Sequence, residues 1–208
     1  MNLPAGFERL DNKKYEQVTV PVAEKDVIKT LGPMKLIPIS SLDEVGQLAF
    51  RGMKSLNRIQ SIVYNSAYTT SQNMLVCAPT GAGKTNVAML CIVQTIKQHI
   101  ETGIIKKDKF KIVYVAPMKA LAAEMAEGFG KRLQPLGLTV RELTGDMQLT
   151  KAEITQTQMI ITTPEKWDVV TRKTGDVALV SLVRLLIIDE VSVVLNYLYA
   201  LPPHYYKC

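Results

Sequence analysis

The run Ala78-Pro79-Thr80-Gly81-Ala82-Gly83-Lys84-Thr85 places two glycines just ahead of a lysine and a threonine. It stands between an apolar β-like stretch, Met74 to Cys77, and a segment of helical length, Asn86 to Ile100. That context is what a phosphate-binding loop requires. Gly81 and Gly83 allow backbone conformations and close approaches that a side chain would block, so that the N–H groups of Thr80 to Thr85 and the helix N-terminus can face phosphates. Lys84 is then placed to reach β- and γ-phosphates, and Thr85 to offer Mg²⁺ a hard hydroxyl ligand. The general pattern starts with Gly where this chain has Ala78, a departure that leaves the loop's donors in place. A second constellation lies downstream, where Leu185-Leu186-Ile187-Ile188 runs into Asp189-Glu190. Asp189 suits the metal, and Glu190 suits an attacking water, which it can orient and deprotonate. A P-loop kinase would not need the second acid, so the pair indicates hydrolysis of a nucleoside triphosphate.

These residues need a scaffold that brings positions 78–85 and 189–190 together. Short β-rich runs recur at Met74 to Cys77, Lys111 to Ala116, Leu138 to Leu143, Met159 to Thr162 and Leu185 to Ile188, with helical spacing at Asn86 to Ile100 and Ala120 to Leu133. Near-continuous apolar strands alternating with helices predict an α/β fold with a parallel sheet covered on both faces and ligands beyond the carboxyl ends of the strands. A capping-box pattern at Ser41-Leu42-Asp43-Glu44 precedes Val45, Leu48, Ala49 and Met53 at helical spacing, and predicts that regular structure starts there. Residues 1–40 carry Pro4, Pro21, Pro33 and Pro38 around short β-like pieces and read as an extended arm or linker. The expected division is an arm at 1–40, an ATP-binding domain at 41–192 and an atypical tail at 193–208.

Bulk properties agree with a globular domain. Hydrophobic residues make up 47% and charged residues 21%, which argues against wholesale disorder. A net charge of +6 is compatible with a polyanionic partner but does not demand one. Cys77, Cys91 and Cys208 lack metal-ligand spacing, and two of them sit in apolar segments, where a thiol behaves as a small hydrophobe. Residues 1–20 show no signal-peptide pattern. The apolar run from Val177 to Leu201 contains Arg184, Asp189 and Glu190, each costing about 2.5–3.5 kcal/mol at a bilayer centre, and is read as a buried strand with a following segment.

Five further segments occur together: Leu56-Asn57-Arg58-Ile59-Gln60-Ser61, Ala116-Pro117-Met118-Lys119-Ala120-Leu121-Ala122, Thr144-Gly145-Asp146, Thr163-Pro164-Glu165-Lys166-Trp167-Asp168 and Asp189-Glu190-Val191. In this order, with the phosphate loop, the chain resembles the Ski-type branch of superfamily-2 DExH helicases. Within that branch, the stretch from Leu42 to Val191 is similar to the first cassette of the helicase subunits of activating signal cointegrator complexes, and next to it the spliceosomal snRNP helicases. The resemblance implies a P-loop NTPase of RecA-like fold, with ATP and Mg²⁺ as cofactors. It implies that Gln60 reads the adenine edge, and that Pro117, Lys119, Thr144, Gly145 and Thr163 hold a single nucleic-acid strand, DNA or RNA, chiefly through phosphate and sugar, with little sequence preference. Trp167 is expected to pack rather than stack on a base. For the parent protein the resemblance implies 3′-to-5′ unwinding driven by ATP hydrolysis, subunits of the cointegrator complex as partners, a nuclear and cytoplasmic location, and roles in DNA repair and ribosome quality control.

Two departures qualify this. The family's acidic box ends in His, which links the nucleotide site to the rest of the motor, and position 192 is Ser. Residues 193–208 do not continue the family pattern, whose next strand lies between the phosphate-loop strand and the acidic-box strand. The sheet is therefore expected to be incomplete at the C-terminus and less stable than its parent. A second RecA-like lobe, which supplies arginines to the ATP site, is not in the sequence, so the fragment is expected to bind ATP-Mg and, weakly, nucleic acid without unwinding. Two other readings stay open: a non-enzymatic product competing for partners of the full helicase, and a P-loop kinase or other NTPase, for which Gln60 and Thr163–Lys166 would be coincidences.

Overall fold

The computed structural model describes residues 8–12, 15–19, 35–145, 147, 149–172 and 177–190. These divide into two compact units with the boundary between Lys35 and Leu36. In the first unit, β1 (Glu8–Asn12) and β2 (Tyr15–Thr19) pair antiparallel, Glu8 opposite Thr19 and Asn12 opposite Tyr15. Ser192 and the segment 193–208 lie outside the described residues.

The second unit opens where the proline-spaced piece around Ile37 pairs with residues 54–56: Leu56 N–H donates to Ile37 O at 2.8 Å, and Ile39 N–H to Lys54 O at 3.0 Å. The first helix, α1 (Glu44–Ala49), is capped by Asp43, whose carboxylate accepts from Gly46 N–H at 2.9 Å. The start predicted at Ser41 thus falls two residues later. Ser41 closes a 3₁₀ turn, donating its hydroxyl to Pro38 O at 2.7 Å, and Met53 lies past the helix end.

Helices α2 (Arg58–Thr69) and α3 (Lys84–Lys97) follow, then a small antiparallel pair, β3 (Ile100–Glu101) with β4 (Ile104–Ile105). The remaining elements are β5 (Lys111–Val115), α4 (Lys119–Leu133), β6 (Val140–Leu143), α5 (Lys151–Gln156), β7 (Met159–Thr162), α6 (Pro164–Arg172), α7 (Val177–Ser181) and β8 (Val183–Ile188). Strands β6-β7-β5-β8, in that order, make an all-parallel sheet of four.

Strand periodicity sorts the core into two layers. Ile112 and Tyr114 of β5, Met159 and Ile161 of β7, and Leu185 and Ile187 of β8 pack with Ile92 and Ile96 of α3 and Phe129 and Leu133 of α4. On the other face Leu143 and Ile160 meet Val170 of α6, Leu179 of α7 and Trp167, which packs here as expected. Burying each such side chain contributes about 1.5–3 kcal/mol, so the sheet is held from both sides.

One predicted strand does not form. Residues 70–79 carry no strand assignment, Leu75 is 76% exposed and Cys77 is exposed. A strand exists by virtue of the ladder it shares, and among the described residues no strand pairs with the second edge of β8 or with 74–77. Leu186 (45% exposed) and Ile188 (42%) lie on the face of β8 opposite Leu185 and Ile187 and stay in solvent. Among the described residues the sheet is therefore open at the edge of β8.

Candidate nucleotide-binding site

The register fixes the site's frame. Leu143, Thr162, Val115 and Ile188 lie in one row across the sheet, so the next residues, Thr144, Thr163, Ala116 and Asp189, form the rim at its C-terminal edge. At about 4.8 Å per strand the row from Thr144 to Asp189 is about 14 Å long. The rim is therefore acidic at its β8 end and lined by threonines at its β6 end.

The loop at 78–85 has the backbone the sequence demands. Gly81 (φ +80°) and Gly83 (φ +93°) are left-handed, a region that disfavours other residues. Gly83 is the N-cap of α3, leaving the helix's first N–H groups to face a ligand. Lys84 Nζ donates back to Ala78 O at 2.9 Å and lies 3.6 Å from Glu190 Oε1. Thr85 is exposed at the first turn of the helix, and Thr80 is exposed on the loop.

Gln60 is 1% exposed, on α2. It forms a capping box with Asn57, Gln60 Oε1 accepting Asn57 N–H at 2.9 Å and Asn57 Oδ1 accepting Gln60 N–H at 3.0 Å. Its Nε2 also donates to Gly83 O at 3.2 Å, while Asn57 Nδ2 donates to Ala82 O at 2.8 Å. The amide of Gln60 retains one N–H and one lone pair for a further partner. Asn57 is a site residue that sequence reasoning missed, although Asn57-x-x-Gln60 is itself a capping-box signature.

The acid pair sits where β8 ends. Asp189 N–H still pairs with Val115 O at 3.0 Å, Asp189 Oδ2 accepts Tyr114 O–H at 2.7 Å, and Asp189 Oδ1 accepts Glu190 N–H at 3.0 Å. Glu190 itself has φ +49°, a left-handed conformation that costs a non-glycine residue of order 1–3 kcal/mol and commonly marks a functional turn. Burial, the bond to Asp189 and the charges of Asp189 and Glu190 together push the Tyr114 phenol well above its ordinary pKa.

The predicted strand-holding residues gather along the rim. Pro117, Thr144 and Thr163 are buried, Gly145 is half-buried and Lys119 is exposed. Thr144 donates its hydroxyl to Glu142, and Gly145 holds a left-handed φ of +54° that disfavours other residues, with Lys119 Nζ 2.5 Å from where its Cβ would lie. Lys166, not singled out from the sequence as a site residue, donates to Gly145 O at 3.0 Å and Met147 O at 2.7 Å and ties the same loop to α6.

A profile of the DEAD/DEAH box helicases matches residues 57–205, more than half of the sequence. The chain belongs to the DEAD/DEAH box helicases. It is 65% identical over 190 residues to activating signal cointegrator 1 complex subunit 3 of Gallus gallus, an alignment covering 91% of this chain and 8% of that protein. Against the RQC trigger complex helicase SLH1 of Saccharomyces cerevisiae it is 55% identical over 195 residues, covering 91% of this chain and 10% of the yeast protein. The chain thus spans a small part of the length of the relatives it matches. The DUF1998 helicase MrfA bound to DNA and AMPPNP superposes with a TM-score of 0.58 at 20% identity, covering 82% of this chain and 26% of that one, a likeness of fold. Family and fold agree with the helicase ATP-binding domain that the motifs predicted.

Proposed function

We propose that this chain is the N-terminal, ATP-binding lobe of an ATP-dependent nucleic-acid helicase, and that it takes ATP with Mg²⁺ between the loop at 78–85 and the pair Asp189-Glu190. The observation that carries the reading is the approach of Lys84 Nζ to Glu190 Oε1 at 3.6 Å, which sets a left-handed glycine loop at a helix N-terminus beside two carboxylates at a strand end. The donor set fits the group: backbone N–H groups and an ammonium for phosphates, a carboxylate and a hydroxyl for a hard cation. Bound ATP with Mg²⁺ supplies the scissile phosphoanhydride and the charge that offsets its phosphates. On the protein side, Lys84 would exchange Ala78 O for phosphate oxygens, Thr85 and Asp189 would hold the metal, Glu190 would orient and deprotonate water, and Gln60 would offer its spare N–H and lone pair to the adenine.

Along the rim, Pro117, Lys119, Thr144, Gly145 and Thr163 hold one strand of DNA or RNA by its backbone, a reading supported by the DNA in the MrfA complex. The parent is read as a 3′-to-5′ helicase with partners in the cointegrator complex and, through the name of the yeast relative, a place in ribosome quality control. Unwinding is read as the work of the parent, in which closure of two lobes on the strand would move it.

Titration with a fluorescent adenine nucleotide, with Mg²⁺ and with EDTA, tests the site. The expected result is saturable, Mg²⁺-sensitive binding that Lys84→Ala weakens at least about tenfold, the loss of one charge-assisted contact. No saturable signal from a folded sample refutes it.

A further inference from the structure

Tyr114 lies on β5, 75 residues from the acid pair, and has no place in the motifs. It is 2% exposed, its ring packs tilted on Phe129 with centroids 5.3 Å apart, and its hydroxyl is aimed out of the core at Asp189 Oδ2, 2.7 Å away. Asp189 Oδ1 is meanwhile bonded to Glu190 N–H at 3.0 Å. Each carboxylate oxygen therefore has one fixed donor and one lone pair left over.

We infer that Tyr114 is a positioning residue for the Mg²⁺ site: its phenol pins the Asp189 carboxylate so that the remaining lone pairs are presented to the metal. The inference rests on the nucleotide-site reading above. Metal-ligating carboxylates are oriented by hydrogen bonds from an outer ring of groups, whose removal typically costs 10–100-fold in metal affinity. Tyr114 suits the task because a short, unjointed reach from a buried strand fixes the donor, whereas a flexible surface side chain would not.

The test is the Mg²⁺ dependence of fluorescent ATP binding to the whole chain, unaltered or carrying Tyr114→Phe, Asp189→Asn or both. Phe keeps the ring and its contact with Phe129, and thermal unfolding checks the fold. The expected result is that Tyr114→Phe raises the half-saturating Mg²⁺ concentration about tenfold, with the loss seen in Mg²⁺ and not in EDTA, and with no added effect beside Asp189→Asn. An unchanged Mg²⁺ requirement, an equal loss in EDTA, or full additivity overturns the inference alone. Unaltered protein that binds nucleotide without Mg²⁺ sensitivity overturns the site reading and this inference with it. Should the Phe variant not fold, 3-fluorotyrosine placed only at position 114 gives a second readout: its ¹⁹F resonance shifts when Mg²⁺ joins the nucleotide complex, and no shift counts against the role.

Discussion

Gly81 and Gly83 share one loop and one region of backbone space, yet they answer to different constraints. A Cβ at Gly81 would meet nothing within 4 Å, so Gly81→Ala bears only the conformational cost of φ +80°, about 1–2 kcal/mol. At Gly83 the same methyl would collide with Gln60 Nε2 and lie 2.7 Å from Asn57 Nδ2, the two amides that cap α2 and hold the loop. Gly83→Ala should therefore lower the urea midpoint more than Gly81→Ala and also weaken nucleotide binding, because loop or helix must shift. Equal effects of the two variants on unfolding and on nucleotide titration would show that α2 does not brace the loop. Residue-level chemistry is also where the sequence was least informative about environment. Cys77 and Cys91 both read as small hydrophobes, but only Cys91 is packed, with burial pushing its thiol up to about 11, while Cys77 is exposed because its strand is missing. Nothing in the run Lys111 to Val115 singles out Tyr114, since its partner lies 75 residues away.

Among the elements, two polar side chains fix helices that local propensity leaves weak. Lys111 opens β5, is 2% exposed, and donates Nζ to Ile154 O at 2.7 Å, Thr155 O at 2.9 Å and Thr157 O at 2.5 Å, closing the C-terminal end of α5. Lys111→Met keeps the stem and strips those carbonyls of their donor, so the chain should lose about 1–3 kcal/mol in urea unfolding; an unchanged midpoint would mean water replaces the ammonium. Asp43 caps α1, accepts Tyr68 O–H at 2.9 Å and pairs with Lys97 Nζ at 2.6 Å. Burial raises its pKa, but the bonds from Lys97, Gly46 N–H and Tyr68, with the charge of Lys97, outweigh that and hold it below 3.8. A depressed carboxylate pKa stabilises the fold above the unfolded value and loses that contribution as pH falls through the folded one. The thermal-midpoint advantage of the unaltered chain over Asp43→Ala should accordingly be full at pH 5 and shrink below about pH 4; a constant gap would leave the carboxylate's charge without a role. These anchors explain what could be read in advance. Strands β5 and β7 lie within a residue of their predicted limits because their apolar runs are buried on both faces. The start of α1 was misplaced because Ser41 and Asp43 both carry capping side chains and only the three-dimensional turn chooses between them.

For the molecule as a whole, the alternation of apolar runs with helical segments made the α/β architecture legible, and with it the gathering of ligand-binding residues at the C-terminal ends of parallel strands. The pairing of Met74 to Cys77 was not legible from local propensity, since that propensity is redeemed only by a neighbouring strand. The consequence is uneven stability. Strands β5 and β7 are buried and each paired on both edges, whereas residues 74–77 lead straight into the phosphate loop without a ladder of their own among the described residues. Opening free energy scales with such packing and pairing. Hydrogen exchange at neutral pH should find the amides of 74–77 exchanging at near-unprotected rates while those of β5 and β7 require global opening. Adding ATP with Mg²⁺ should slow exchange in the glycine loop without slowing 74–77 to the same degree, because a ligand can give the loop partners but cannot give a strand its neighbour. Slow exchange throughout 74–77 in the nucleotide-free chain would show instead that the flank beside β8 is closed in solution, and that the exposure of Leu75, Leu186 and Ile188 does not persist there.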